Sequence, residues 1–414
     1  MVVLNWPLPA NMRADVGEPG NDNGNGTVHR PVMFVASGDL FWYTSTPVKE
    51  EGNVILGRNA GWQKEIGIPP RPAGRIIDIA ATQNNLYILV MIGTGVNTTI
   101  FRLESGGRSG WSDPITLGTD NNIQSIFADS QGRRLFVGAQ SERDNSIWYL
   151  DEGTNTPRQL QTGSRMLLDE PTSDTGLLSG VVYQASSDPE QAGTYFLSTR
   201  NDGIFEVGSG WRTGNSITMV GTPPNRRPRS FMGMISLPDG TIIAVARDGG
   251  FLYEVHIGHP PKQIPDSSAS ADEFMRTGRD ATSALALWRE GTVNDDGVFT
   301  AGRTLLVVGI QGSRQAATFT NGYVEFELLS TENGTLRIGP RREAGTTNDL
   351  LSVSDSAQYR ASLGRLPLNH LFQVPTEVDE SMTFFASTQT AGLWSFRTIN
   401  RVPQWNAEHY PRED

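Results

Sequence analysis

Arginine carries almost all of the positive charge in this 414-residue chain: of 34 basic residues, lysine stands only at Lys49, Lys64 and Lys262. A guanidinium is a planar fork that grips a carboxylate or phosphate through two parallel N–H bonds, which an ammonium cannot do. Two proline-rich segments concentrate these groups. One reads Pro69-Pro70-Arg71-Pro72-Ala73-Gly74-Arg75, the other Pro223-Pro224-Asn225-Arg226-Arg227-Pro228-Arg229. Proline narrows the conformations open to a loop, so less freedom is lost when its side chains are fixed by a ligand. The 45 acidic residues leave a formal net charge of -11, which disfavours long-range attraction to nucleic acid or an anionic membrane. Basic loops on an acidic body fit a compact anionic partner: an acidic peptide segment, a carboxylated glycan or a phosphorylated ligand.

Other chemistries find little support. Cysteine is absent, which removes disulfides, thiolate catalysis and Cys-based metal sites. His29, His256, His259, His370 and His409 are scattered and never at ligand spacing; His256 and His259 straddle a turn ending in Pro260-Pro261 and read as exposed loop residues. The polar loops Asn294-Asp295-Asp296-Gly297 and Asp120-Asn121-Asn122 lack the acidic spacing of a dedicated calcium loop and are explained by turn chemistry. A P-loop, a dinucleotide fingerprint and a Gly-x-Ser-x-Gly elbow are missing, and neither a cofactor nor a metal is implied.

The elements that must position the arginines repeat. Seven aromatic runs, beginning at Leu40, Ile100, Ile147, Ile204, Leu252, Glu325 and Leu393, recur at intervals of roughly 47 to 73 residues. Each follows a small-residue and β-branched run: Val32 to Ser37, Leu86 to Ile92, Leu135 to Ala139, Tyr195 to Thr199, Ile242 to Ala246, Leu305 to Ile310 and Met382 to Thr388. Six of these are preceded by another apolar run, and a more polar fourth strand often carries a tryptophan, as at Trp62, Trp111, Trp211 and Trp405. Turn signals such as Pro238-Asp239-Gly240 and Asp248-Gly249-Gly250 separate the runs, while sustained helical periodicity is missing. The gradient from small inner strands to aromatic outer ones suits wedge-shaped sheets around an axis. The expected fold is all-β, a seven-bladed β-propeller of four-stranded antiparallel blades, in one domain over residues 1–414. Val2 to Trp6 supplies the first inner strand or pairs with the last blade near Trp405. Residues 11–27 read as a mobile loop, with insertions at 262–280, 289–303 and 340–368, the last holding a short helix around Leu350 to Leu363. Trp42, Trp148 and Trp394 belong to packing between blades, whereas Trp6 and Trp288 break the pattern and are freer to serve elsewhere.

In such a meander the turn from second to third strand and the crossing into the next blade share one end of the sheet. The residue ending the second strand there is repeatedly polar: Gln140, Arg200, Arg247, Gln311 and Gln389. The crossing loops add Arg71, Arg75, Arg226, Arg227 and Arg229, with Arg276 and Arg279 near them. These positions are expected to form one anion-binding face, unless Glu142, Asp144, Asp202 and Asp248 in the same loops pair with the arginines.

The layout resembles the seven-bladed β-propeller superfamily. Asn201-Asp202-Gly203-Ile204-Phe205 with Trp211, and Gly392-Leu393-Trp394-Ser395-Phe396 with Trp405, look like the turns of exported bacterial propellers, including the quinoprotein-like propeller of outer-membrane assembly lipoproteins. The signatures of WD40 and kelch repeats are missing. The resemblance implies a monomeric, exported binding or scaffold module, periplasmic or at the cell surface, with a protein or carbohydrate partner. Membrane attachment would then come only through a lipid-bearing cysteine removed with its signal peptide. A host-surface adhesin has the same physics with another partner. The rival from another class is a propeller hydrolase or lyase acting on a carboxylated sugar. A sialidase-like enzyme needs three arginines and a tyrosine activated by a glutamate, and Asn201-Asp202-Gly203 followed by Trp211 is only a distorted form of its turn motif.

Overall fold

A computed structural model describes residues 1–7, 29–36, 40–44, 48–50, 53–55, 61–63, 69–93, 97–107, 109–117, 122–129, 132–140, 145–160, 178–186, 193–200, 203–207, 217–220, 230–265, 274–278, 280–293, 299–311, 322–330, 336–343, 367–375, 382–388, 392–399 and 402–407. The expected mobile loop and the expected short helix lie outside these residues. The chain divides into two compact units, one built mainly on Met1–Tyr183 and the other on Gln184–Gly208 and Thr218–His409.

The first unit is a succession of antiparallel meanders. Strands β1 (Val2–Pro7), β2 (His29–Ala36) and β3 (Leu40–Thr44) are followed by a separate hairpin, β4 (Val48–Glu50) with β5 (Asn53–Ile55); β6 (Gly61–Gln63) then completes the sheet β1-β2-β3-β6. Next come β7 (Arg75–Ala81), β8 (Asn85–Met91) and β9 (Thr98–Glu104), where Trp111 and Ile115 add single bridges in place of a fourth strand. A four-stranded sheet follows, of β10 (Asn122–Ala128), β11 (Arg134–Gln140), β12 (Asn145–Asp151) and β13 (Arg158–Gln159). Strand β14 (Leu178–Gln184) comes last.

The second unit continues the scheme. It opens with β15 (Thr194–Thr199), β16 (Ile204–Val207) and β17 (Ile217–Val220), in sequence order. The next sheet holds β18 (Phe231–Ser236), β19 (Ile242–Ala246), β20 (Leu252–Val255) and β21 (Lys262–Gln263). It is followed by β22 (Ala281–Val293), β23 (Phe299–Ile310), β24 (Tyr323–Ser330) and β25 (Leu336–Glu343), then by β26 (Leu368–Pro375), β27 (Met382–Thr388), β28 (Leu393–Ile399) and β29 (Val402–Ala407). Among the described residues the single helical element is a 3-10 turn at Asp248–Gly250. Of the two roles open to the amino-terminal run, the structure selects the inner strand: Val2 to Pro7 pairs with Phe34 to His29, and β29 pairs with β28 in the last sheet. The segment read as an insertion at 289–303 is the far end of a long hairpin, with Arg289 opposite Thr304 and Val293 opposite Phe299.

Alternation along the second strands explains why the sheets stack. In β8, Leu86, Ile88 and Val90 join a core with Leu4, Trp6 and Phe34, while Tyr87 and Leu89 face the opposite way into a core with Ile123, Leu135 and Val137. In β23, Leu306, Val308 and Ile310 pack with Ile243 and Val245, and Leu305 and Val307 with Leu371, Ala386 and Trp405. Successive residues of a strand point to opposite faces, so a strand apolar at every position must be covered on both sides. Trp6 and Trp288 are core members here, not the freer residues expected from their place in the pattern. Trp148 and Trp394 pack against cores, as their position in the third strand predicts.

Five first strands carry a bulge close to their start, between Ile76 and Asp78, Ile123 and Ser125, Phe231 and Gly233, Ala281 and Leu285, and Leu368 and His370. A bulge adds an unpaired residue, sharpens the local twist and re-aims the residue that follows.

Leu306, fully buried between two sheets, tests the stacking. Leu306→Ala is expected to destabilise the protein by about 2 to 5 kcal/mol in chemical denaturation, against less than about 1.5 kcal/mol for Leu306→Met.

Candidate functional site

Strand register places the polar positions in equivalent places of their own sheets. Just before their bulges four of the five first strands pair with the second through Ile123↔Ala139, Phe231↔Ala246, Ala281↔Ile310 and Leu368↔Thr388. The next residue along the second strand is Gln140, Arg247, Gln311 and Gln389 in turn. Arg200 has the same relation to its own turn: Thr199 N–H donates to the carbonyl of Gly203, as Thr388 N–H does to Gly392, and Arg200 and Gln389 follow. Gln389, Arg226, Arg227 and Arg229 lie outside the described residues.

In the second unit, hydrogen bonds join the ends of its last three sheets into a rim. Arg247 N–H donates to the Ser230 carbonyl at 2.9 Å, and the Arg247 carbonyl accepts from Ala281 N–H at 2.9 Å. One step on, Gln311 N–H donates to the Asp280 carbonyl at 2.8 Å. The Ser283 hydroxyl then reaches the Asn369 carbonyl at 2.8 Å, tying the start of β22 to the bulge that precedes His370. Neighbouring first strands lie side by side along this rim, β18 with β22 and β22 with β26, and β15 lies against β18.

The acid nearest to Arg247 through this network is committed elsewhere. Asp280 Oδ1 accepts the Gly249 N–H at 3.0 Å, within a turn where Gly249 has φ +66° and Gly250 φ +60°. Left-handed backbone of that kind is open to glycine at little cost and turns its N–H groups toward an anion. Arg247 and Asp248 are both exposed, and among the described residues neither Arg247 nor Arg200 forms an ion pair. Glu142, Asp144 and Asp202 are outside the described residues. Two residues that the repeat pattern did not single out also reach the rim. Arg341 Nη1 donates to the Thr277 carbonyl at 2.9 Å over Gly278, where a Cβ would collide with the guanidinium. The other is His370, directly across the strand pair from Ser387.

His370 is exposed as a residue, yet loss of hydration at the imidazole is the largest influence on it. That loss, reinforced by positive charge from the amino terminus and then from Arg200, lowers its pKa from 6.5 to about 3. The ring is therefore neutral over the physiological range.

In the first unit the polar positions are less uniform. Arg71 is turned onto its own loop, donating Nη1 to the carbonyls of Pro72 at 3.0 Å and Gly74 at 2.8 Å. Trp111 Nε1 holds the same loop through the Pro69 carbonyl at 3.1 Å. Arg75, the exposed first residue of β7, makes no ion pair among the described residues, and Gln140 is half-buried at the end of β11. The corresponding position of β8, after the pair Ile76↔Val90, is the half-buried Met91 opposite Arg75, so this second strand is apolar where others carry Gln or Arg.

A glutamate's charge does act on a tyrosine in this unit, a relation the sequence did not place. Glu152 Oε1 accepts from Asn84 N–H at 2.9 Å and from Asn85 Nδ2 at 2.6 Å, and its charge acts on Tyr87. Burial is the main cause, ahead of Glu152, that pushes the Tyr87 phenol up to about 12. An activated nucleophile needs the opposite shift and access to substrate. Among the described residues no group of three or more His, Cys, Asp or Glu is placed to hold a metal ion.

No protein-family model matches the sequence, and no curated protein matches it. Solved structures do resemble the fold. An ancestral GH74 enzyme superposes with a TM-score of 0.52 at 14% identity, over 90% of this chain and 44% of that one, so the chain spans under half of that enzyme's length. Virginiamycin B lyase from Staphylococcus aureus gives 0.44 at 11% identity, over 81% of this chain and 84% of the lyase. YCF48 bound to D1 peptide gives 0.41 at 13% identity, over 82% and 84% of the two chains. These are β-propeller proteins, and the stacked antiparallel meanders of this chain have that fold.

The sign of the His370 shift gives a test. Between its folded value near 3 and its unfolded value near 6.5 the unfolded chain binds more protons, so this histidine withdraws stability as pH falls through that window. His370→Gln is expected to lose less stability than the parent between about pH 7.5 and about pH 4.5 in urea titrations. Equal losses in the two proteins would show that the imidazole is freely hydrated.

Proposed function

We propose that this chain is a binding module that captures an anionic partner at the sheet ends of the second unit carrying Arg200, Arg247 and Gln311. The observation that supports this most is the state of Arg247: exposed, held in place through its own backbone, and without an ion pair among the described residues although Asp248 is its neighbour and Asp280 is one bond away. A guanidinium left unpaired on a braced turn is free to form a forked contact with an incoming anion, and little motion has to be frozen out. The propeller fold accommodates the role because it sets loops at the ends of rigid sheets, where recognition residues concentrate. Burial and Glu152 push the Tyr87 phenol away from the ionised state that a nucleophile needs, which favours a reading of capture.

Calorimetric titration with an oligoglutamate peptide, an oligoglucuronate and a phosphoserine peptide tests it. At least one is expected to bind with an affinity that falls as salt rises. Arg247→Ala should weaken that binding by roughly 1.5 to 3 kcal/mol, the loss of a charged hydrogen bond. Because the side chain is exposed, the denaturation midpoint should stay nearly unchanged. Silence from all three anions, or unchanged affinity in the variant, rules the function out.

A further inference from the structure

The Arg247 turn is fastened to the segment that leads into β22. Thr277 N–H donates to the Gly250 carbonyl at 3.0 Å, Gly249 N–H to Asp280 Oδ1 at 3.0 Å, and Ala281 N–H to the Arg247 carbonyl at 2.9 Å. Whatever fixes residues 277–281 therefore fixes the backbone from which the Arg247 side chain extends. The start of that segment is set into a core: Met275 is fully buried, and its N–H donates to the Ile264 carbonyl at 2.8 Å. Thr277 is only 2% exposed, so its carbonyl is poorly placed to bond water, and a buried carbonyl without a partner is costly. Arg341 supplies the partner, with Nη1 donating at 2.9 Å from the outermost strand of the next sheet.

Two local features bring the guanidinium there. The register of β24 with β25 passes from Phe326↔Arg341 to Leu328↔Ile338, so Gly339 and Pro340 form a bulge opposite Glu327 and Arg341 follows it. Paired residues share a face of the sheet, and Phe326 packs in the same core as Leu252 and Met275, which puts Arg341 on the side where Thr277 stands. The second feature is Gly278, at φ +77°, where a Cβ would overlap the Arg341 guanidinium.

Resting on the reading that this end of the unit binds an anion, we infer that Arg341 is a positioning residue for Arg247. It clamps the Thr277 carbonyl across the gap between two sheets, and the clamped segment holds the turn through Gly249, Gly250 and the Arg247 carbonyl. Anion affinity then depends on a residue that does not meet the anion. Without the clamp the turn samples more conformations, and more freedom has to be frozen out on binding.

The test titrates the full chain calorimetrically with the oligoglutamate, oligoglucuronate and phosphoserine probes, beside Arg341→Met, Arg341→Lys, Gly278→Ala and Arg247→Ala, with circular dichroism to confirm folding. Arg341→Met keeps the stem and removes the donors; it is expected to weaken the bound probe about two- to tenfold, the range that ordering one long side chain represents. Arg341→Lys can still donate to the carbonyl and should restore most of the affinity. Gly278→Ala should repeat the loss with the charge unchanged. In 15N relaxation, Arg247 Nε–H and Gly249 N–H should be more mobile in Arg341→Met even before a probe is added. On addition to the parent protein, the Arg247 Nε–H resonance should shift while that of Arg341 stays in place. Unchanged affinity in folded Arg341→Met, alongside a loss in Arg247→Ala, overturns the clamp and leaves the anion reading intact. A saturable Arg341 shift as large as that of Arg247 makes Arg341 a contact residue and overturns the positioning role. If no probe binds, the anion reading fails, and unchanged mobility of Arg247 and Gly249 in Arg341→Met overturns the clamp as well. Should Arg341→Met lower the folded fraction, the same relaxation measurement on Gly278→Ala decides in its place.

Discussion

Strands β8 and β23 are apolar at nearly every position, and a strand of that kind cannot rest against a single neighbour. Leu86, Ile88 and Val90 need one covering sheet and Tyr87 and Leu89 another. Leu305 and Leu306 make the same demand in opposite directions. Once second strands must be covered on both faces, sheets have to follow one another in a row, and each meander becomes a spacer between two cores. The positions of all the polar ends follow from that requirement. They are the parts of the second strands that run out past the packed layers.

Two features turn those ends from ordinary loops into a coherent surface. Recurrent bulges near the start of the first strands give successive sheets the same local geometry, so Arg247, Gln311 and their equivalents stand at corresponding places. A chain of backbone hydrogen bonds, within sheets from Ser230 to Arg247 and from Asp280 to Gln311 and between sheets from Ala281 to Arg247, then joins these ends in the second unit. Asp280 works as a strut in this rim: its carboxylate holds the Gly249 turn and its carbonyl holds Gln311. That double duty leaves Arg247 braced but unpaired.

Much of the architecture was legible in the sequence because burial has a period. The runs at Leu86, Leu135, Ile242 and Leu305 announced strands covered on both faces, and Asp248-Gly249-Gly250 announced a turn with left-handed residues, found at φ +66° and +60°. Trp6 and Trp288 were misjudged because their spacing departs from the repeat, yet the first strand and the lengthened β22 carry them into cores. The bulges were not legible, since an extra residue such as Ile77 or Asn369 leaves no compositional mark. For the same reason His370 read as one of several scattered histidines: only the register beyond the bulge sets it opposite Ser387. The charge of Glu152 acts on Tyr87, 65 positions away, through a loop conformation that no local pattern encodes. Arg71 and Arg75 looked alike in sequence, but the turn at Gly74 folds the first onto its own carbonyls and leaves the second exposed.

The central claim is that unpaired arginines at the sheet ends, and not the surface at large, receive an anion. The most direct measurement follows the Nε–H resonances of all arginines in 15N-labelled protein as an acidic peptide is added. Large, saturable shifts confined to Arg200 and Arg247 among the described arginines are the expected result. Shifts spread evenly over the arginines, or concentrated at Arg134 and Arg158, which already pair with Asp151, would contradict the account.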